Sequence, residues 1–137
     1  MIERPFYSKG SIKVPVHQID SLHLETKVGI IKIDVEGSES SVLKGALNVI
    51  KQSSPIIVWE ASFSISRSNV ESCISLLNSL DYTSFLLDGN LNTFILTSSN
   101  FEDFYIDCNI LSIPRGINET YEVQSILSKW AASKEQS

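Results

Sequence analysis

A chain of 137 residues is one domain's worth, and at roughly 150 residues folding buries about 68 to 70% of the unfolded surface, enough for one core and not for two. A hydrophobic content of 42% beside 20% charged residues excludes a disordered chain. The net charge of −5, with no cluster of Lys and Arg, excludes nucleic acid as the expected partner.

Residues 1–5 show no apolar leader segment, and no run approaches the roughly 18 apolar residues of a membrane span, so no membrane partner and a cytoplasmic location are expected. Ile12, Val14 and Val16 alternate with Lys13, Pro15 and His17, the pattern of a half-exposed strand that Pro15 restricts to a sheet edge. Asp20, ahead of Ser21 and Leu22, reads as the cap of a short helix. His17 and His23 lack metal-ligand spacing and read as surface residues, either of which could also serve as a base. Residues 28–33 are almost continuously apolar, as in a strand buried on both faces at the centre of a parallel sheet.

Apolar positions Val42, Leu43, Ala46, Leu47, Val49 and Ile50 follow a helical spacing, with Glu39 in the first turn and Lys51 in the last. Ser53, Ser54 and Pro55 end that helix. Ile56, Ile57, Val58 and Trp59 form a second buried strand closed by Glu60, and the strand, helix, strand succession implies a parallel crossover. Ser68 and Glu71 read as a capping box before an amphipathic helix bearing Val70, Cys73, Ile74, Leu77 and Leu80. Cys73 and Cys108 have neither zinc nor disulfide spacing, and Cys73 reads as a small buried hydrophobe. Asp88-Gly89-Asn90 between the apolar runs 82–87 and 91–96 signals an antiparallel hairpin. After Phe101 the pattern is irregular until Val123, Ile126, Leu127, Trp130 and Ala131 mark a final helix with a polar tail.

The chemistry concentrates where the first buried strand turns into its helix, at Lys32-Ile33-Asp34-Val35-Glu36-Gly37-Ser38-Glu39. Such strand-to-helix corners are where open α/β sheets bind ligands. Residues of one parity share a strand face, so Lys32, Asp34 and, if the extended path continues, Glu36 point the same way. Glu60 ends the neighbouring strand, so Asp34 and Glu60 can face one ligand. Carboxylates that close either raise one pKa, creating a general base, or are neutralised by a cation: Lys32, a divalent metal or a cationic cofactor. Glu39 reads first as a helix-dipole and capping residue, and Gly37 as a turn that permits close backbone approach or positive φ.

Ile31-Lys32-Ile33-Asp34-Val35-Glu36-Gly37, then Glu39, Val42-Leu43, Gly45-Ala46, Pro55 and Glu60, resembles the FkbM methyltransferase family. The resemblance extends weakly upstream through Val14-Pro15-Val16, Asp20 and Leu22, and downstream to about Ile113. It implies a truncated Rossmann-like α/β fold of the S-adenosylmethionine-dependent kind, with parallel strands, helices and a C-terminal antiparallel hairpin. A partial methyltransferase domain would occupy residues 1–113, and a C-terminal helix and polar tail residues 114–137. It further implies O-methyl transfer from S-adenosylmethionine to a small molecule or sugar, with Asp34, Glu36 and Glu60 catalytic and Asp34 and Gly37 at the cofactor. Gly10 and Gly29 do not form the glycine-rich turn with which the family cradles the cofactor, so the chain resembles the C-terminal half of the family domain. Two other classes remain in view. One is a non-catalytic module that self-associates, or takes the missing N-terminal half, through an exposed strand edge. The other is a carboxylate cluster that binds a hard metal ion, although no metal-ligand motif is present.

Overall fold

The computed structural model describes residues 12–87, 93–96 and 107–116. Among these residues five strands form one mixed sheet: β1 (Ile30–Ile33), β2 (Ile56–Ala61), β3 (Tyr82–Leu87), β4 (Thr93–Leu96) and β5 (Cys108–Pro114), in the spatial order β1-β2-β5-β3-β4. The described α-helices are α1 (Glu39–Lys44), α2 (Leu47–Ser53) and α3 (Arg67–Ser79). The fold is therefore α/β. β1 and β2 run parallel with Ile33 beside Trp59, and β5 is antiparallel to both β2 and β3.

The alternation of strand side chains divides the sheet into two faces. On one, Ile33, Ile57, Trp59, Ala61, Leu86 and Ile110 meet Leu43, Ala46, Ile50, Val70, Cys73, Ile74 and Leu77 in the main core. The other carries a smaller cluster of Phe85, Leu111 and Ile113, against which Ile56 and Val58 pack. Polar groups inside the main core are paired: Trp59 Nε1 donates to Ser112 Oγ at 3.0 Å, and Ser112 and Ser84 share a hydrogen bond of 2.8 Å across β5 and β3. This pairing removes the cost of leaving buried donors unmatched.

Several elements depart from the sequence reading. Ile12, Val14 and Val16 form no strand and are 82%, 67% and 93% exposed. The Ile12, Val14, Val16 stripe meets no apolar surface that would repay the ordering of a Pro-bearing segment. β1 consequently lies at the edge of the sheet among the described residues, not at its centre, and Ile30 is 67% exposed.

The single helix expected over residues 42–50 is two. α1 stops at Gly45, whose carbonyl accepts the Asp20 N–H at 2.8 Å, and α2 restarts after Ala46. Ala46 has no side-chain oxygen to cap α2. Asp20 does that across the chain, its carboxylate accepting the N–H groups of Asn48 and Val49, each at 3.0 Å. Asp20 thus sits inside a short 3-10 turn (Ile19–Ser21) and caps a different helix from the one expected.

Ser54, at φ 48°, terminates α2 ahead of Pro55. The cap of α3 is Ser66 rather than Ser68, its hydroxyl accepting the Asn69 N–H, because the helix begins at Arg67. β3 and β4 pair antiparallel as the hairpin signal implied, with the Asp88-Gly89-Asn90 turn outside the described residues. β5 was not anticipated, yet it fills the gap between β2 and β3. The helix read over Val123 to Ala131 lies outside the described residues.

Candidate functional site

The parallel register of β1 and β2 ends with Ile33 beside Trp59, and the residues that follow, Asp34 just past β1 and Glu60 on β2, bring two carboxylates to the carboxyl-terminal rim of neighbouring strands about 4.8 Å apart. The face is the one carrying Val58 and Ile56. Lys32, two residues back on β1, donates from Nζ to Asp34 Oδ2 at 2.8 Å, as their shared parity requires.

Hydrogen bonding to Lys32, and then to Glu60, holds Asp34 below the usual carboxylate range. Hydrogen bonding to Asp34, together with that group's negative charge, raises Glu60 above its ordinary value, and the charge of Asp107 adds to the rise. The two environments push the pair apart, so that one carboxylate stays ionised while its neighbour holds a proton more tightly. Of the cations open at the level of sequence, Lys32 is the one that the structure places against Asp34.

Glu36 does not join this pair by strand parity. The chain leaves the extended path after β1, with Glu36 at φ 48° and Gly37 at φ 98°, and the Glu36 side chain is exposed. Two consecutive left-handed residues reverse the backbone between strand and helix, which is why the alternation that places Asp34 says nothing about Glu36.

Gly37 is needed on two counts. Its φ is unfavourable for any residue bearing a Cβ, and a Cβ there would approach Ile65 Cγ2 to 3.1 Å. Its N–H is already taken, donating to Glu39 Oε1 at 3.0 Å.

Glu39 is wholly buried, and its other carboxylate oxygen accepts from the side-chain amide of Asn69 on α3. The Asn69 carbonyl in turn accepts the Ser40 N–H at 3.1 Å. Glu39 therefore fastens the turn after Asp34 to the start of α1 and to α3.

Asp107 is the residue that sequence reasoning missed. It accepts from the backbone N–H of Ser64 at 2.9 Å and from Ser64 Oγ at 2.5 Å, bonds that hold its pKa low and tie the loop after β2 to the start of β5. β5 also places Asn109 directly beside Glu60. The apolar run Ile110-Leu111-Ser112-Ile113 ending at Pro114 was the available signal for this strand.

His17 and His23 are exposed, and Cys73 is buried with its thiol pushed up to about 12 by desolvation. Among the described residues no group of three or more His, Cys, Asp or Glu is placed to hold a metal ion. No helix among them is long and apolar enough to cross a membrane. A cavity lined by Ile50, Lys51, Ser54, Leu80, Asp81, Tyr82 and Pro114 to Gly116 opens at the amino-terminal ends of β2 and β3, the opposite end from the carboxylates.

The family of methyltransferase FkbM domains matches residues 4–96, more than half of the chain, and the chain belongs to that family. The match contains both rim carboxylates, the Gly37 turn and Glu39. Comparison with curated proteins and with solved structures found no match.

Proposed function

We propose that the rim formed by Asp34 and Glu60 is the acceptor side of an S-adenosylmethionine-dependent O-methyltransferase site, acting on a hydroxyl of a small molecule or sugar. The observation that carries this reading is the opposed perturbation of two adjacent carboxyls at the strand ends of a methyltransferase-family domain. Glu60, with its raised proton affinity, accepts the hydroxyl proton as the acceptor oxygen becomes nucleophilic, because a base is most effective when its pKa moves toward the working pH. Asp34 stays ionised and supplies a fixed negative charge on the same rim. Lys32 and the Gly37 turn, anchored by Glu39, hold Asp34 in place.

S-adenosylmethionine, when bound, supplies an electrophilic methyl group on a cationic sulfonium. The described residues suit that cationic end through Asp34. They include no glycine-rich turn after a strand, and the Gly37 N–H is committed to Glu39, so the rest of the cofactor requires a cradle beyond those residues. Within this reading the described body is the acceptor half of a Rossmann-like methyltransferase domain. Glu36, off the strand and exposed, has at most a peripheral part at the acceptor.

The test is methyl transfer from labelled S-adenosylmethionine to a panel of hydroxylated small molecules and sugars, paired with calorimetric titration of S-adenosylhomocysteine. Glu60→Gln and Asp34→Asn should each lower kcat/KM by at least about tenfold, a conservative floor beneath the roughly 10²- to 10⁴-fold that one positioned acid or base contributes. Wild-type turnover in either variant refutes that residue's role. Turnover by wild type without measurable product binding would place the cofactor elsewhere.

A further inference from the structure

β5 runs antiparallel to β2 with Asn109 directly opposite Glu60. Residues opposite each other in an antiparallel pair carry their side chains on the same face, with Cβ atoms about 4.5 to 5.5 Å apart. One pair further in on that face, Val58 lies opposite Leu111 in the smaller apolar cluster. Leu111 is buried, whereas Asn109 is exposed. Glu60 and Asn109 therefore form the polar pair at the end of an apolar floor.

The position of Asn109 is fixed from several sides. On β3 it is paired with Leu87, so it stands on a strand flanked by neighbours on both sides. Just before β5, Asp107 accepts the Ser64 N–H at 2.9 Å and the Ser64 hydroxyl at 2.5 Å. Those bonds pin the start of β5 to the loop that follows β2, and Ile65 of that loop lies against the Gly37 turn. The strand that carries Asn109 and the turn after Asp34 are thus joined through one loop.

Where a hydroxyl gives its proton to Glu60, that single hydrogen bond leaves the acceptor free to rotate about it, and group transfer depends on a fixed orientation of the reacting atoms. On the β1 side of Glu60, Asp34 is bonded to Lys32 and, while ionised, can only accept. On the β5 side, Asn109 is a neutral amide whose carbonyl accepts and whose NH2 donates. It can hold a hydroxyl, an amine or a carbonyl without adding charge beside Glu60.

We propose that Asn109 is a further acceptor-binding residue, holding a second hydrogen-bonding group of the acceptor on the β5 side of the hydroxyl that faces Glu60. The proposal rests on the methyl-transfer reading for its substrate and on the β2 and β5 register for its geometry. It makes position 109 a determinant of specificity, because acceptors with a hydrogen-bonding group next to the reacting hydroxyl gain a contact that others lack.

Matched acceptors test it: catechol against phenol, and a methyl glucoside against its monodeoxy analogues. Asn109→Ala should lower kcat/KM about three- to tenfold for the member bearing the second group and leave the other within about twofold, as the loss of one exposed neutral hydrogen bond implies. Equal effects on both members overturn the proposal. Asn109→Asp adds a carboxylate to the face of Glu60, where the charges of Asp34 and Asp107 already oppose that of Lys32, and should move the acid limb of kcat/KM to higher pH, which Asn109→Ala should not do. An unmoved limb in the Asp variant would mean that the two side chains are not neighbours. Circular dichroism checks that each variant is folded. A wild type inactive on every acceptor refutes the methyl-transfer reading, and the contact is then decided by the side-chain amide signals of Asn109 in NMR titrations with the same pairs. A shift with the member bearing the second group and none with its partner supports the contact, and no shift with either overturns it.

Discussion

Replacing Glu39 by glutamine changes one atom in a buried polar site that joins the Gly37 turn, α1 and α3. The carboxylate is fully buried, accepting from the Gly37 N–H through one oxygen and from the Asn69 amide through the other. A glutamine of the same shape can keep only one of these bonds. If its carbonyl serves Gly37, its NH2 faces the NH2 of Asn69. Turning the Asn69 amide over to relieve that clash takes away the acceptor of the Ser40 N–H. Every orientation leaves one donor buried without an acceptor and loses one charge-assisted bond.

Those two effects together cost about 2 to 3 kcal/mol. For 137 residues the unfolding entropy is about 0.29 kcal/mol/K, which converts the loss to a fall in Tm of about 7 to 10 °C. Asn69→Asp alone is as harmful or worse, since it places two carboxylates face to face. The double variant, Glu39→Gln with Asn69→Asp, reverses the polarity of the bond. The carboxylate introduced at position 69 can accept from both the new amide and the Ser40 N–H. Urea unfolding followed by circular dichroism should show the double variant recovering about 2 kcal/mol relative to the sum of the single losses, with unchanged m-values. Additive losses would mean that Glu39 and Asn69 are not partners and that the Gly37 turn is held by something else.

Asp20→Ala should lower stability by about 1 kcal/mol, or about 3 to 4 °C in Tm, because α2 loses the carboxylate that caps Asn48 and Val49, while Asp20→Asn should lose less than half of that. An unchanged Tm in the alanine variant would refute the cross-chain cap. The acid limb of kcat/KM should lie above 4.5, the ordinary Glu value, because the neighbouring Asp34 raises Glu60, and Glu60→Gln should abolish that limb. The linked stability effects have opposite signs. The contribution of Asp34, whose folded pKa is depressed, is present above its unfolded value and lost as pH falls through the folded one. That of Glu60, whose folded pKa is raised, is present below its unfolded value and lost as pH rises through the folded one. Both groups are solvent-facing and water screens these terms, so a large stability change across that window would contradict the described geometry. Cys73, buried and with its thiol pushed up to about 12, should resist iodoacetamide at mildly alkaline pH in the native state and react on unfolding; labelling of the native protein would refute its burial.

The periodicity and punctuation of the sequence determined much of this protein. Residues 56–59 announce a buried strand by their unbroken apolar run, and Val70, Cys73, Ile74 and Leu77 mark the inner face of α3, because burial requires those side chains whatever the topology, whereas the run at 28–33 announces a strand but not its place at the sheet edge. The parity of Lys32 and Asp34 follows from strand geometry alone, as does the position of Glu60 at the end of the next strand. The motif around Asp34 and Gly37 was sufficient to place the chain in its family.

What the tertiary structure alone decided are relations between residues far apart in the chain. Asp20 caps a helix 28 residues away, a bond that no local pattern encodes. β5 enters between β2 and β3, bringing Asp107 and Asn109 to the rim, because the order of strands in a sheet is not their order in sequence. Gly45 and the Asp20 cap break one apparent helix into two, although its apolar stripe is continuous. Lys32, Asp34 and Glu60 were legible as charged residues, but which carboxyl keeps its proton depends on the short through-space bonds that only the paired strands create.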